Sequence, residues 1–338
     1  MQKIGQKMLR IGSRNSPLAL AQAHSIGRLL ASAWPELAAT DAITVVPFIT
    51  QGDRSTDSLS EIGGKGLFTA EIEDALLKGT IDLAVHSLKD MPTHLPEGLV
   101  LAAVPEREDP RDLLILGPNW QSLRAHTSAK DIIAALPRHG KIGSAALRRK
   151  AQLLHHRPDL DVVLFRGNVG TRLRKLQEGV ADATLLALAG VKRLGLVDQL
   201  SPMAVVLEPE IMVPAVAQGA LALEIRRDHH QLSTWLAAIN HPPSQIAVTA
   251  ERAMLAVLDG SCRTPIGGLA RFTHKHVLQL RGLMASLDGA QIWRSADEIC
   301  FDTDKILTHD TVYLCEHAEK LGQKLGAAIL QQSRGNMF

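Results

Sequence analysis

The sequence predicts an α/β protein built from two doubly wound domains and a small α+β C-terminal domain. Three observations support this fold class. Short β-branched or apolar runs alternate with helix-period segments through about two thirds of the 338 residues, which is typical of mostly parallel sheets covered by helices. The segment PEREDPRD at 105–112 is charged and contains prolines, as expected of a crossover between two such domains. After Pro242 and Pro243 the pattern changes to strand-like alternation.

The predicted domain boundaries follow from these changes of pattern. Domain 1 takes residues 1–105 and 215–240, domain 2 takes 111–207, and domain 3 takes 242–338. A second, apolar crossing between domains falls near 205–214. A chain of this length is too long for one hydrophobic core, which favours such a division.

In the first two domains, the predicted strands are short and apolar, and helices lie between them. The strands lie at 9–13, 43–49, 82–88, 99–104, 112–116, 141–144, 161–165 and 183–188. The helices lie at 17–34, 67–78, 146–156, 169–178 and 215–227. Ser16 followed by Pro17 predicts a helix N-cap, and Asn168 predicts a second one.

Domain 3 is predicted to begin with an amphipathic helix at 246–258. The stretch after it alternates like strands and contains Asp288 and Gly289, a dipeptide typical of a hairpin turn. A final helix is expected at about 309–331.

Composition is that of an ordinary globular protein, with 46% hydrophobic and 21% charged residues and a net charge of +2. No apolar run is as long as a membrane span, and the first residues lack the apolar segment of a secretory signal. The three cysteines, Cys262, Cys300 and Cys315, form no CxxC pair and no disulfide framework. We therefore expect a cytoplasmic protein without a membrane partner. Because the sequence indicates no oligomer interface, we expect a monomer.

Positive charge is concentrated in one part of the chain. Residues 138–193 hold twelve Lys and Arg against four Asp and Glu, whereas the remainder holds 25 against 31. About half of these basic residues fit an ordinary solvated helix face. A basic strip also fits nucleic acid, but Phe165 is the one aromatic residue in this segment, and single-stranded sites depend on aromatic stacking. Nucleic acid is therefore not an expected partner.

Several arginines follow the predicted strands. In doubly wound sheets, ligands bind beyond the carboxyl ends of the strands, where helix N-termini add free N–H groups. Arginine binds carboxylates and phosphates through two parallel hydrogen bonds. The sequence therefore predicts a cleft for a ligand with several negative charges. The arginines at or soon after strand ends are Arg14, Arg148, Arg149, Arg166, Arg172 and Arg193.

One acid lies among these basic motifs. Lys89 and Asp90 follow the strand at 82–88, and Pro92 disfavours a helix at Met91, so both residues are expected on a loop. In a basic cleft, the Asp90 carboxylate would be the group able to stabilise a cation. The alternative, which chemistry alone favours, is a turn aspartate paired with Lys89.

Two other segments have weaker signals. The sequence GGKG at 63–66 lacks the spacing and the Ser or Thr of a Walker A loop. The polar stretch at 50–60 is long enough to form a lid, with Lys65 on the same loop. His274 and His276 fit an exposed strand edge better than a metal site, so no metal is expected.

Cys262 lies in an unusual place for a cysteine. The stretch DGSCRTPIGG at 259–268 puts it in a Gly/Pro-rich turn, whereas structural cysteines are usually buried as small hydrophobes. The preceding helix is expected to end at Asp259 and Gly260, since glycine suits the left-handed position there. Cys262 is therefore predicted to project from a loop of domain 3.

Nine blocks between about residues 9 and 270 resemble, in order, those of the porphobilinogen deaminase (hydroxymethylbilane synthase) family. The remaining 270–338 segment is generic. The resemblance implies two domains similar to periplasmic binding proteins and a third that carries a cofactor cysteine. The blocks are LRIGSRNSPLALAQA, GGKGLFTAEIE, DLAVHSLKDMPT, EREDPRD, LRRKAQL, RGNVGTRLRKL, LALAGVKRLG, PAVAQGALALE and AERAMLAVLDGSCRTPIGG.

The resemblance implies an activity and a cofactor. Members of this family condense four porphobilinogen molecules head to tail, release ammonia at each step, and then release the linear tetrapyrrole hydroxymethylbilane by hydrolysis. They build the product on a dipyrromethane cofactor held by a thioether to one cysteine, which corresponds to Cys262 here. Asp90 corresponds to the catalytic aspartate, which would hold pyrrole N–H groups and stabilise the azafulvenium cation left when ammonia departs.

The resemblance also implies which residues hold carboxylates. Each pyrrole carries two of them, and each charge-assisted pair contributes ~1.5–3 kcal/mol. Arginine cannot readily donate the proton that departing ammonia needs, so Asp90 is the better general acid. Cofactor contacts are expected from Lys89, Asp90, Ser144, Arg148 and Arg149, substrate contacts from Arg14, Ser16, Arg166, Arg172 and Arg193, and a lid contact from Lys65.

The chain departs from the family pattern at one place. The family usually has two hydroxyl residues before the LRR motif, where this chain has Ala145 and Ala146. Either Ser144 and backbone N–H groups suffice, or the cofactor carboxylates are held more weakly. We expect modestly altered cofactor retention without loss of the chemistry.

Two other functions fit parts of the sequence. A non-catalytic solute-binding protein of the same two-domain architecture would bind an anion without chemistry, and the turn at Cys262 argues against it. A polyanion-binding module is disfavoured by the 3% aromatic content.

Overall fold

A computed structural model describes residues 9–54, 66–125, 128–258, 264–302, 304–305, 308 and 310–335. The strands are β1 Leu9–Arg14, β2 Ile43–Phe48, β3 Leu83–Ser87, β4 Leu99–Ala103, β5 Asp112–Leu116, β6 Lys141–Gly143, β7 Asp161–Val163, β8 Ala183–Ala187, β9 Ala204–Leu207, β10 Leu221–Arg226, β11 Ile266–His274, β12 Val277–Ala285 and β13 Ile292–Cys300. The helices are α1 Pro17–Ala33, α2 Gln51–Arg54, α3 Ala70–Leu77, α4 Ala129–Ala135, α5 Leu147–His156, α6 Val169–Gln177, α7 Leu188–Arg193, α8 Val197–Leu200, α9 His230–Ala237, α10 Pro242–Val257 and α11 Thr311–Gly335. Three short 3₁₀ helices span Pro35–Leu37, Leu88–Asp90 and Pro118–Ala125.

The described residues form two compact units. The first takes its residues from 9–54, 66–107 and 220–245, and the second from 108–219 and 246–335. Each unit contains one five-stranded sheet, and the second unit also contains the three-stranded sheet β11-β12-β13. The boundaries of the three predicted domains stay a prediction.

The two five-stranded sheets have the same strand arrangement. The orders are β2-β1-β3-β10-β4 and β7-β6-β8-β5-β9. In each sheet the fourth strand in this order runs against its neighbours and the other four run in one direction. The reversed strand β10 is distant in sequence from β1–β4, and β5 directly follows β4 along the chain. The chain therefore passes between the two five-stranded sheets twice, after β4 and after β9. The first passage lies within the segment 105–112, whereas the second lies between residues 219 and 220, beyond the predicted 205–214.

Helices cover both faces of each five-stranded sheet, as expected of doubly wound domains. In the first sheet, Ile26 of α1 and Leu232 of α9 pack on one face, whereas Ile72 of α3 packs on the other. In the second sheet, Ile132 of α4 packs on one face and Leu176 of α6 on the other. The predicted fold class of two such domains and a small α+β domain is confirmed.

The three-stranded sheet packs against α10 and α11. Gly322 of α11 lies so close to α10 that an added Cβ would come within 2.1 Å of the Ala250 carbonyl oxygen. On the sheet side, a Cβ at Gly282 of β12 would come within 2.4 Å of the Met254 sulfur. These glycines allow α10 to lie directly against both the last helix and the sheet.

The predicted helix at 215–227 is wrong. Residues 215–219 form a turn in which Ala217 and Gly219 have φ values of 59° and 89°, and the residues after it form β10. The sequence AVAQGALALE is rich in good helix formers, but β10 is buried between β3 and β4. The sheet's hydrogen bonds and the burial of β10 therefore outweigh a helix propensity of a few tenths of a kcal/mol per residue.

Other predicted elements differ mainly at their ends. The predicted strand at 161–165 ends at Val163, and the one at 183–188 ends at Ala187. The region near 205–214 contains the strand β9. Part of the expected lid at 50–60 is the short helix α2, and residues 55–65 lie outside the described residues.

Candidate active site

The first unit carries four of the predicted site residues at the carboxyl ends of β1 and β3. Arg14 is the last residue of β1, where its guanidinium pairs with Asp53 and lies 4.2 Å from the centre of the Phe68 ring. Burial raises the pKa of Asp53, but hydrogen bonds from Arg14 and Thr50 outweigh this and hold it below its usual value. Arg14 is therefore a fixed cation rather than a solvated one.

Ser16 confirms the predicted N-cap of α1. Its hydroxyl oxygen accepts a hydrogen bond from the Ala19 backbone N–H at 3.3 Å, and Pro17 follows at the first helical position. Capping uses the oxygen as an acceptor, so the hydroxyl hydrogen can still be donated to an anion.

Lys89 and Asp90 lie on the short 3₁₀ helix Leu88–Asp90 that directly follows β3. Both side chains are half-buried. Among the described residues, no side chain pairs with the Asp90 carboxylate, and no ion pair joins it to Lys89. The alternative of a turn aspartate held by Lys89 therefore gains no support, and the carboxylate can receive donors from a ligand.

The second unit carries the other described site residues at one edge of its sheet. The parallel strands β7, β6 and β8 all end there, and the reversed strand β5 begins there with Asp112 opposite Ala187. Ser144 follows β6, is buried, and accepts a hydrogen bond from the Ala146 N–H at 3.2 Å. It supports the turn into α5, which has no side-chain cap of its own at Ala146.

Arg148 and Arg149 occupy the first turn of α5 and are both 5% exposed. Arg148 Nη1 donates to Asp112 Oδ2 at 2.8 Å and to the Val213 carbonyl at 2.7 Å. Arg149 donates to Asp112 Oδ1 through Nε at 3.1 Å and Nη2 at 2.8 Å, and its Nη1 donates to the Leu185 carbonyl. The two arginines that the sequence predicts to hold carboxylates thus form a buried cluster around the Asp112 carboxylate.

Arg166 and Arg172 follow β7. Arg172 lies in the first turn of α6 and donates through Nε to the Gly167 carbonyl at 2.9 Å. Asn168 caps this helix, as predicted, by accepting from the Thr171 N–H at 2.9 Å. The Nη1 atom of Arg166 is buried and has no hydrogen-bond partner in the part of the chain that the structure describes. A buried, unpaired guanidinium nitrogen is costly unless a ligand pairs with it.

Arg193 is the last residue of α7, so it is farther from the end of β8 than the sequence predicts. Its Nη2 donates to the Gly219 carbonyl at 2.6 Å, and burial lowers its pKa although the charge of Glu108 opposes this effect. Glu108 itself pairs with Lys192. The second unit therefore holds Arg193 at the turn that precedes β10.

Two predicted site residues, Lys65 and Cys262, lie outside the described residues. Among the described residues, no group of three or more His, Cys, Asp and Glu could hold a metal ion. No described helix has the length and hydrophobicity needed to cross a membrane.

Sequence reasoning missed Asp112. Its position at the start of the apolar strand β5 could have indicated a paired carboxylate, because a buried carboxylate needs a positively charged partner. The sequence could not reveal which arginines meet it, since they follow it by about thirty-six residues.

The described residues fit a cofactor that carries carboxylates. Arg166 Nη1 is a buried donor without a partner, and Arg148 Nε and Nη2 donate to no other described residue. Such donors beside a helix N-terminus suit carboxylate oxygens. A dipyrromethane group carries acetate and propionate side chains of this chemistry.

The fold is that of a protein with two doubly wound domains, in which buried arginines lie at one strand edge of the second sheet. At the corresponding edge of the first sheet lies Asp90, whose carboxylate pairs with no side chain among the described residues. The chain matches "Porphobilinogen deaminase, dipyromethane cofactor binding domain" over residues 9–234 and "Porphobilinogen deaminase, C-terminal domain" over residues 245–331. It belongs to the porphobilinogen deaminase family, whose members are transferases with a dipyrromethane cofactor.

Relatives match most of the chain. A porphobilinogen deaminase of Nitrobacter winogradskyi is 46% identical over 93% of this chain and 94% of its own length. The chloroplastic enzymes of Oryza sativa and Pisum sativum are 47% and 44% identical, over 88% and 98% of this chain and 79% and 83% of theirs. A solved periplasmic domain of Bordetella pertussis BvgS aligns at a TM-score of 0.38 and 13% identity, over 69% of this chain and 87% of that domain. The fold assignment rests on the strand topology and not on this last likeness.

Proposed function

We propose that this chain is a hydroxymethylbilane synthase, which joins four porphobilinogen molecules head to tail, releases one ammonia at each step, and hydrolyses off the linear tetrapyrrole. Two features of the described residues support the proposal most directly. Arg148 and Arg166 at the carboxyl edge of the second sheet have guanidinium nitrogens that donate to no described residue, and no side chain in the described part of the chain pairs with the Asp90 carboxylate at the edge of the first sheet.

The arginines bind and orient the carboxylates. Arg148, Arg166 and Arg172 each belong to a segment that directly follows a strand of the second sheet. Arg14 and the Ser16 hydroxyl supply donors at the end of β1. Because each substrate brings an acetate and a propionate, fixed donors set the ring's orientation before any bond forms.

Asp90 is the residue that takes part directly in the proposed chemical step. Its carboxylate accepts hydrogen bonds from pyrrole N–H groups and faces the positive charge that develops on the substrate as the C–N bond to ammonia breaks. In its protonated form it supplies the proton that the departing ammonia takes. Lys89, next to it in the sequence, would contact a carboxylate of the bound pyrrole.

Cys262 and Lys65 complete the proposed site from segments outside the described residues. We propose that the Cys262 thiolate forms the thioether and that Lys65 contacts the substrate. The bound dipyrromethane supplies a covalent primer with a nucleophilic pyrrole carbon. Ser144 and Arg148 would hold its carboxylates, and Arg149, whose guanidinium nitrogens all donate to Asp112 or to the Leu185 carbonyl, would support Arg148.

Turnover with porphobilinogen tests the function. The wild-type chain should release four ammonia molecules for each tetrapyrrole, and Asp90→Ala should lower the rate at least about 100-fold. Asp198→Ala is the matched control, because Asp198 is an exposed acid in the first turn of α8. Near-normal turnover by Asp90→Ala would remove Asp90 from this role, and binding of porphobilinogen without ammonia release would favour a solute-binding protein.

The finer assignments belong to the same proposal. We propose three domains with the boundaries given above, and a monomer that works in the cytoplasm. The free thiols of Cys300 and Cys315 support a reducing compartment. Light scattering of the purified chain at micromolar concentration tests the monomer.

A further inference from the structure

A single buried carboxylate organises both arginines of the LRR motif. Asp112 is 0% exposed and receives four hydrogen bonds, one from Arg148, two from Arg149 and one from the Gln218 amide at 2.9 Å. Four donors fill nearly all the acceptor sites of a carboxylate. Burial raises the pKa of Asp112, but the charges of Arg148 and Arg149 outweigh this and hold it far below its usual value. Asp112 is therefore an anion at the pH of the cell.

The cluster joins three motifs that are distant in sequence. Asp112 comes from EREDPRD, the arginines come from LRRKAQL, and Gln218 comes from PAVAQGA. The neighbouring residue Ala217 has a left-handed φ of 59°, which is strained for alanine. The buried Glu251 of α10 holds that turn by accepting from the Ala217 N–H at 2.6 Å. The same carboxylate accepts from the Ala270 N–H of β11, so α10 and β11 both help to place Gln218 against Asp112.

The two arginines differ in how many of their guanidinium nitrogens donate hydrogen bonds to the protein. All three guanidinium nitrogens of Arg149 donate to Asp112 or to the Leu185 carbonyl. Arg148 donates through Nη1 alone within the described residues, which leaves Nε and Nη2 for a ligand. Asp112 also cancels one of the two positive charges. The cluster thus offers one net positive charge and one principal donor group.

We propose that Asp112 is a positioning residue for cofactor assembly, which orients Arg148 toward a cofactor carboxylate and uses Arg149 as its brace. The inference rests on the proposed function, since it assumes that a dipyrromethane carboxylate meets this edge. It adds to that function a role for an acid in an arginine-rich site. If the two arginines contributed only positive charge, a carboxylate beside them would weaken the binding of an anion. The presence of Asp112 therefore indicates that the orientation of Arg148 matters more for binding than the total charge of the cluster.

Cofactor assembly on the full chain distinguishes orientation from charge. Chain purified without cofactor is incubated with porphobilinogen, and intact mass follows the gain of two linked pyrrole units over time. Asp112→Asn keeps the size of the side chain but leaves the cluster with two positive charges. If orientation matters, the folded Asp112→Asn chain loads at least about 10-fold more slowly, and the porphobilinogen concentration for half-maximal loading rate rises. If only charge matters, it loads as fast as wild type or faster, and the proposal fails.

Two further variants control for stability. Asp82→Asn breaks a comparable Arg–Asp pair, because Asp82 accepts from Arg10 Nε and Nη2 at 3.0 and 2.9 Å and is not a predicted site residue. It should load within two-fold of wild type after correction for the folded fraction. Equal slowing by Asp82→Asn and Asp112→Asn would show general destabilisation and overturn the proposal.

Asp112→Glu tests the proposal should Asp112→Asn fail to fold. It keeps the charge but moves the carboxylate by one methylene, so a positioning role predicts loading several-fold slower than wild type at unchanged net charge. Loading equal to wild type would contradict that role. A wild-type chain that never gains mass would contradict the proposed function itself, and the inference with it.

Discussion

Arg148 and Arg149 are adjacent residues with identical side chains, but their hydrogen-bond partners give them different roles. Both lie in the first turn of α5. Within the described residues, Arg148 donates through Nη1 alone, whereas every guanidinium nitrogen of Arg149 donates to Asp112 or to the Leu185 carbonyl. Removing one partner of a buried ion pair costs about 3–5 kcal/mol, because the remaining charge stays buried without compensation. The stability of the second unit and its proposed binding of carboxylates therefore depend on the same side chains.

The N-cap of α5 gives a prediction for Ala146. This residue caps the helix without a side-chain hydrogen bond, so Ala146→Ser should stabilise the protein by about 1 kcal/mol in urea unfolding. A hydroxyl here should also speed cofactor loading. Ala145→Ser is the control, since Ala145 does not cap the helix. Unchanged stability and loading in Ala146→Ser would show that Ser144 and the backbone already satisfy this helix end.

Glu73 gives a prediction with a defined pH dependence. Burial raises its pKa and the charge of Glu224 adds to this, whereas Thr69 and His86 act in the opposite direction with a smaller effect. The folded state therefore disfavours the ionised form, and stability falls as pH rises through the folded pKa. Glu73→Gln should raise the melting temperature by roughly 1–3 °C at pH 8, and the gain should vanish below about pH 4, near the unfolded pKa.

Asp74→Asn is the control on the same helix, because Asp74 is exposed and pairs only with Lys78 among the described residues. It should show no gain at pH 8. A Glu73→Gln chain that is less stable than wild type at pH 8 would mean that the ionised carboxylate contributes a net favourable interaction with His86.

Local signals in the sequence were enough to predict some of these residues. The caps Ser16 and Asn168 could be predicted because a cap depends on neighbours within three residues. The partner of Arg148 and Arg149 could not, because Asp112 meets them only after the chain has folded into a sheet. That no described side chain pairs with the Asp90 carboxylate is likewise a property of the folded structure.

Among the secondary-structure elements, β10 could not be predicted because its conformation also depends on distant parts of the chain. Its sequence favours a helix locally, and only its place between β3 and β4 makes it a strand. Elements with a strong local pattern, such as β5 and the hairpin of β12 and β13, were predicted correctly. The strand order was not predictable, because it depends on which distant strand fills the reversed position in each sheet.

The hairpin turn between β12 and β13 is predicted to be a packing element for α5. Gly289 has a φ of 74°, and an added Cβ would come within 2.3 Å of the Ala151 carbonyl oxygen of α5. Gly179 has the same φ of 74° with nothing within 4 Å. Gly179→Ala should cost about 1–2 kcal/mol in urea unfolding from the backbone strain alone, and Gly289→Ala should cost at least about 1 kcal/mol more. Equal losses would show that the turn does not press on α5.

On the scale of the whole molecule, two sheets with the same strand arrangement each receive a reversed strand, β5 or β10, near a crossing of the chain. Both crossings lie next to site residues, since Asp112 begins β5 and Gly219, which accepts from Arg193, lies just before β10. The repeated architecture therefore brings the crossings and the carboxyl ends of the parallel strands to the same edge within each unit. That edge is where an anionic ligand is expected to bind.

The proposed function requires that this chain builds its product on a covalent primer held by Cys262. The intact mass of the purified chain reveals whether that primer is present. We expect an added mass of two linked pyrrole units on the wild type, retained in Cys300→Ser and Cys315→Ser and lost in Cys262→Ser. A wild-type mass equal to that of the bare sequence, unchanged after incubation with porphobilinogen, would contradict it.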